Sequence, residues 1–142
     1  MDPNPVILKS DKEWINIFVG GEIYPIQLRT LLTFENNGLY FRERVVKASE
    51  FMIKVSCVHW DSSPNHIKYR MDIDRDGQLF RHILQYLRNG RKTSLPDNQP
   101  FLLDLMREAD FFGMDGLKYV IKKKLWKLTG KANYFACYSD SE

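Results

Sequence analysis

The chain has 142 residues, with 44% hydrophobic, 13% aromatic and 27% charged side chains and a formal net charge of +3. That length suits one domain, and a domain of this size buries about 68–70% of the surface its unfolded chain exposes. The high apolar fraction and low net charge exclude a disordered chain, scattered Gly and Pro exclude a collagen-like one, and no apolar run approaches the ~20 residues that span a bilayer.

Met1-Asp2-Pro3-Asn4-Pro5 has no basic patch followed by an apolar stretch, so no secretory signal is expected. Residues 1–13 read as a flexible leader. From Trp14 the pattern changes: Ile15, Ile17 and Val19 alternate with Trp14, Asn16 and Phe18, the period of a strand. Gly20-Gly21 breaks it and Glu22–Ile26 returns, which predicts a hairpin. Gln27–Leu32 reads as a short helix closed by Asn36-Asn37-Gly38. Residues 39–50 fit more than one element, with a helix among the options. Phe51–Trp60 and His66–Ile73 read as a strand pair around the turn cluster Asp61-Ser62-Ser63-Pro64-Asn65.

Three helices follow. Gln78–Arg88 carries Leu79, Phe80, Ile83, Leu84 and Leu87 on one side, with Asp76 or Gly77 as its N-cap and Asn89-Gly90 at its end. A loop around Leu95-Pro96 leads to a helix from about Pro100 to Phe112. After Gly113–Gly116, Leu117–Leu128 carries Leu117, Val120, Ile121, Leu125 and Leu128 inward. The lysines Lys118, Lys122, Lys123, Lys124 and Lys127, with Lys131 just beyond, form a cluster expected outward, and Gly130 stops the helix. Residues 129–142 form a short tail with an acidic finish. Strands first and helices later give an α+β fold.

The chemistry-bearing residues are sparse. Cys57, His59 and His66 offer three candidate zinc ligands at irregular spacing, one short of a tetrahedral structural site. Polar strand residues are the preferred reading. His82 lies on the outward side of its helix and reads as solvated. Asp72, Asp74 and Asp76 alternate as in a calcium loop, but Ile83 stands where the twelfth-position glutamate is needed. The lysine row could serve a membrane or nucleic acid. A solvated face near a helix C-terminus, where the dipole favours cations, is preferred. Phosphate-loop, nucleophile-elbow and paired-histidine zinc motifs are absent, so no enzymatic activity, cofactor or metal is expected. Cys57 and Cys137 read as free thiols of a reducing compartment, which places the chain in the cytoplasm.

Residues 15–31, Ile-Asn-Ile-Phe-Val-Gly-Gly-Glu-Ile-Tyr-Pro-Ile-Gln-Leu-Arg-Thr-Leu, resemble the opening of the BTB/POZ domain of the potassium-channel tetramerisation type. Residues 73–90, built around Asp74-Arg75-Asp76-Gly77, resemble its most diagnostic segment. Residues 102–117, through Arg107-Glu108-Ala109-Asp110-Phe111-Phe112-Gly113, resemble its next helix pair. The resemblance spans roughly 14–128, taken as the domain. Asp-Arg-Asp-Gly is similar to the non-channel KCTD adaptor branch.

The resemblance implies a BTB/POZ fold and a homo-oligomeric ring, tetramer or pentamer. It also implies a role as substrate adaptor for a cullin-type ubiquitin ligase, or alternatively an oligomeric regulatory scaffold without cullin. The target protein is unknown. No nucleic acid and no membrane span are expected. Asp74, Arg75, Asp76, Arg81 and Arg88 are the implied oligomer contacts, and Phe111, Phe112, Leu95 and Pro96 the implied cullin-facing residues. Residues 39–72 depart from the family pattern, with an inserted strand pair expected there.

Overall fold

The computed structural model describes residues 5–32, 38–62 and 65–130. Its centre is the expected hairpin. Strand β2 (Trp14–Val19) runs antiparallel to β3 (Glu22–Gln27), with Val19 opposite Glu22. Gly20 and Gly21 both take positive φ, 53° and 90°, the two-residue turn whose twist matches that of the strands. A side chain on Gly20 would strike the Arg75 carbonyl, so this turn also lets the 75–77 segment approach.

On its other side β2 pairs in parallel with β7 (Tyr69–Ile73), and β6 (His59–Trp60) closes the sheet in the order β3-β2-β7-β6. Ile15, Ile17, Val19, Ile26, Met71 and Ile73 form its buried face. Along β7, Met71 and Ile73 are buried, Asp72 between them is exposed and Arg70 is half-buried.

Residues 38–60 resolve the ambiguous stretch. Gly38–Arg44 is helix α2, after the short α1 (Leu28–Leu31), and Val45–Ser49 is strand β4. The strand pair expected across 51–73 does not form as one ribbon. Strand β5 (Met52–Val55) instead joins β4 and β1 (Val6–Leu8) in a separate antiparallel sheet, ordered β1-β5-β4. The chain changes direction after β5 at Cys57, which takes φ 62°, so only His59–Trp60 reaches β7. The strand at Val6–Leu8 also corrects the expectation of a flexible leader over 1–13. Leu8 is buried, and Val6 packs against the core. Residues 1–4, with Asn36, Asn37, Ser63, Pro64 and the tail from Lys131, lie outside the described residues.

Three longer helices cover the four-stranded sheet. Helix α3 (Gly77–Asn89) starts on Asp76, whose carboxylate accepts from the backbone N–H of Gln78 and Leu79 at 2.8 and 2.9 Å. Asp76→Ala is expected to lower the urea midpoint by the equivalent of about 1 kcal/mol, and Asp76→Asn to preserve it. Equal losses in the two variants would rule out capping as the role of Asp76. Gly77, at the first helical position, packs so closely on Val19 and Glu22 that any Cβ would collide with the Val19 carbonyl. The Tyr24 hydroxyl donates to the Gly77 carbonyl and locks the hairpin to α3.

A 3-10 turn (Gly90–Lys92) leads to α4 (Gln99–Phe111), capped by Asn98, and then to α5 (Asp115–Thr129), stopped by Gly130 at φ 69°. Phe41, Phe80 and Phe112 meet where α2, α3 and α4 converge, with Phe41 stacked on Phe112 at 5.6 Å.

Candidate protein-interaction site

Strand alternation gives the four-stranded sheet a second face, turned away from the helices. Trp14 and Phe18 of β2, Ile23 and Pro25 of β3, Arg70 and Asp72 of β7, and His59 of β6 share it. Phe18 lies opposite Ile23 on one side and Asp72 on the other. Trp14 and Ile23 are 47% and 49% exposed. The Arg70 guanidinium lies 3.6 Å from the Phe18 ring centroid and donates to Asp72 at 2.6 Å. That hydrogen bond holds the Arg70 pKa above its ordinary value.

Asn16, in the middle of this face, is fully buried. Its amide donates to Asp61 at 2.6 Å and to Asn65 at 3.1 Å, and Asn65 donates back to its oxygen at 2.9 Å. This reciprocal clamp fixes the ends of the 61–65 turn over the sheet. The face thus combines an exposed tryptophan, an exposed isoleucine and an arginine held over a half-buried ring, residue types in which the cores of protein interfaces are enriched.

The implied oligomer residues divide. Arg75 is engaged inside the chain. It grips Glu108 with two hydrogen bonds, 3.2 and 2.7 Å, and sits 4.3 Å from the Phe111 ring. Glu108 is buried, and the hydrogen bond from Arg75 raises the arginine's own pKa. Asp76 is spent on the helix cap. Asp74, Arg81 and Arg88 are exposed. Burial and the Glu22 carboxylate hold the Tyr24 phenol above its usual pKa, with Arg81 beside it pulling the other way.

The implied cullin-facing residues divide as well. Phe111 is 42% exposed and Pro96 is exposed, while Leu95 is half-buried. Phe112 has no exposed surface, because the aromatic cluster encloses it. Phe112 is therefore a core residue and offers nothing to a docking partner in this structure.

Three further expectations are corrected. Leu128, expected inward, is exposed near the end of α5. Lys118 does not join the outward lysines. It is buried and pairs with Asp110 at 2.9 Å. His82 is half-buried against Phe101, ring centroids 4.8 Å apart, and burial, with Arg81 nearby, lowers its pKa. Cys57, His59 and His66 are all exposed, and among the described residues no His, Cys, Asp and Glu cluster could hold a metal. Cys137 and Lys131 lie outside the described residues.

Sequence reasoning missed the outer sheet face, although its signal was present: Trp14, Phe18 and Ile23 are apolar at positions that a one-sided sheet gives to water. The Arg75–Glu108 pair left no local signal, since 33 residues separate its members.

The comparisons with known proteins agree with this architecture. The chain is 56% identical over 139 residues to the uncharacterized protein F47D12.3 of Caenorhabditis elegans, covering 98% of this chain and 99% of that one. It is 33% identical over 99 residues to the uncharacterized protein T23G5.3 of the same organism, covering 67% of this chain and 37% of the other. A 50-residue stretch is 54% identical to the FH protein interacting protein FIP2 of Arabidopsis thaliana, covering 35% of this chain and 16% of that protein. Residues 15–121 match the family model described as BTB/POZ domain. That span holds nearly the whole hairpin, the capped α3, α4 and the first half of α5, and the chain belongs to the BTB/POZ family of the potassium-channel tetramerisation type, a family of protein-interaction domains.

Proposed function

We propose that this chain is a self-associating interaction module of the non-channel adaptor branch, which forms a closed homo-oligomeric ring and presents it to partner proteins. The outer face of the four-stranded sheet is the observation that carries this reading. Its exposed Trp14 and Ile23, with Arg70 over Phe18, form one half of a subunit contact. A ring closes through two different surfaces, one on each neighbour. Asp74, Arg81 and Arg88, all exposed, supply charges for the second surface and give it direction. Asp74-Arg75-Asp76-Gly77 supports the adaptor branch, and the name of the Arabidopsis relative describes a protein that binds another protein.

Ile23→Asp tests the sheet face directly. It places a charge at an exposed position, so the fold is expected to survive while the oligomer mass falls to that of one protomer. An unchanged mass with Ile23→Asp would move the contact elsewhere.

Within this reading the ring is an adaptor for a cullin-type ubiquitin ligase in the cytoplasm, with Phe111, Leu95 and Pro96 turned to the cullin. The free thiol of Cys57 suits a reducing compartment, and no described helix is long and apolar enough to cross a membrane. Titration of the intact chain with a cullin N-terminal region, compared with Phe111→Ala, tests this part. Absence of binding leaves the second reading, an oligomeric regulatory scaffold. The separate β1-β5-β4 sheet favours that alternative, because it fills the stretch where the sequence departs from the family pattern.

A further inference from the structure

A groove of about 280 Å³ lies between the 3-10 turn, the loop after it and α5. Leu95 and Val120, both partly buried, line its apolar part. Arg91, Lys123 and Lys127 stand around it, and none of them has an acidic partner among the described residues. Lys124 is the exception, paired with Asp97 at 2.5 Å. Tyr119 is half exposed, with the Arg91 guanidinium 5.3 Å and the Lys123 Nζ 5.6 Å from its ring centroid. Thr93 also lines the groove. It is nine-tenths buried, and its hydroxyl has no hydrogen-bond partner among the described residues.

We infer that this groove is a docking site for an acidic segment of a partner protein, with an apolar side chain on Leu95 and Val120 and its carboxylates on Arg91, Lys123 and Lys127. Three observations converge on such an occupant. Three cations around one concavity repel one another until an anion enters. A buried hydroxyl without a partner is rare and is satisfied by a carboxylate or peptide oxygen brought in from outside. The apolar lining selects a peptide carrying both kinds of side chain over a bare ion. A bilayer is flat and would meet only the rim, leaving Leu95, Val120 and Thr93 unused. The site is separate from the outer sheet face, so its test is independent of ring formation; it shares Leu95 with the proposed cullin-facing residues, and the peptide titration is run without a cullin so that the groove is read alone.

The experiment is a fluorescence-anisotropy titration of the full chain with a labelled nine-residue peptide of Glu and Asp around a central Leu. The expected result is saturable binding that weakens as salt rises. Lys123→Glu with Lys127→Glu is expected to weaken it at least about tenfold, since each reversal replaces attraction by repulsion. Thr93→Val is expected to weaken it several-fold without lowering thermal stability, because the hydroxyl bonds nothing in the free protein. A structural hydroxyl would instead show as a lowered melting temperature with affinity unchanged, and that would overturn the assignment of Thr93. Three results would overturn the docking site itself: no binding, equal binding of the Gln and Asn version of the peptide, or lysine-dependent binding to phosphatidylserine vesicles with none to the peptide.

Discussion

Phe112→Ala is expected to cost about 3–5 kcal/mol of folding stability, measured as the urea midpoint at fixed protomer concentration. The ring is fully buried, stacked on Phe41 at 5.6 Å and set edge-on to Tyr40 at 5.1 Å. Its removal leaves a cavity between α2, α3 and α4 that the surrounding rings fill only in part. Phe111→Ala is expected to cost about 1 kcal/mol, because that ring is 42% exposed and loses only its contacts with Arg75, Tyr40 and Phe112 on one side. The contrast matters for function. Only Phe111 can be removed to probe a partner without disturbing the fold. A larger loss at Phe111 than at Phe112 would contradict the packing described here.

Arg75→Ala is expected to lower stability by about 2 kcal/mol, because it strands the Glu108 carboxylate in a buried position. The figure is below the 3–5 kcal/mol of a fully buried pair, since the Arg75 side chain is 31% exposed and water screens it. In a double-mutant cycle Glu108→Ala should recover part of the loss, as removing both partners leaves no unpaired charge. The cycle separates two roles for Arg75. As an internal clamp between the start of α3 and α4, it changes the urea midpoint. As a subunit contact, it would change the oligomer mass and leave the midpoint of dissociated protomers unaltered.

Local rules carried most of the fold. Gly20-Gly21, Asp76, Asn89-Gly90 and Gly130 are each a turn or cap whose chemistry acts within a few residues, and each stands where the sequence reading placed it. Pairing between distant segments was legible only in part. Nothing in Met52–Val55 says whether it turns back on Tyr69–Ile73 or joins Val6–Leu8 and Val45–Ser49, because a run of four strand-forming residues carries no label for its partner. Three-residue β1 is too short to stand out from the polar residues around it.

The site residues follow the same division. Phe111 and Phe112 are adjacent, and helix geometry alone turns one outward and one inward. The family resemblance offered both as cullin-facing without taking that 100° step into account. Lys118 sits one turn before Lys122 and looked equivalent to it, but Asp110, on another helix, draws it into a buried pair.

The molecular mass in solution, by light scattering behind a sizing column at two protein concentrations, tests the central claim most directly. One protomer is 16.8 kDa. Self-association through the outer sheet face predicts a mass of four or five protomers that does not change with dilution. A mass of one protomer at both concentrations would contradict it.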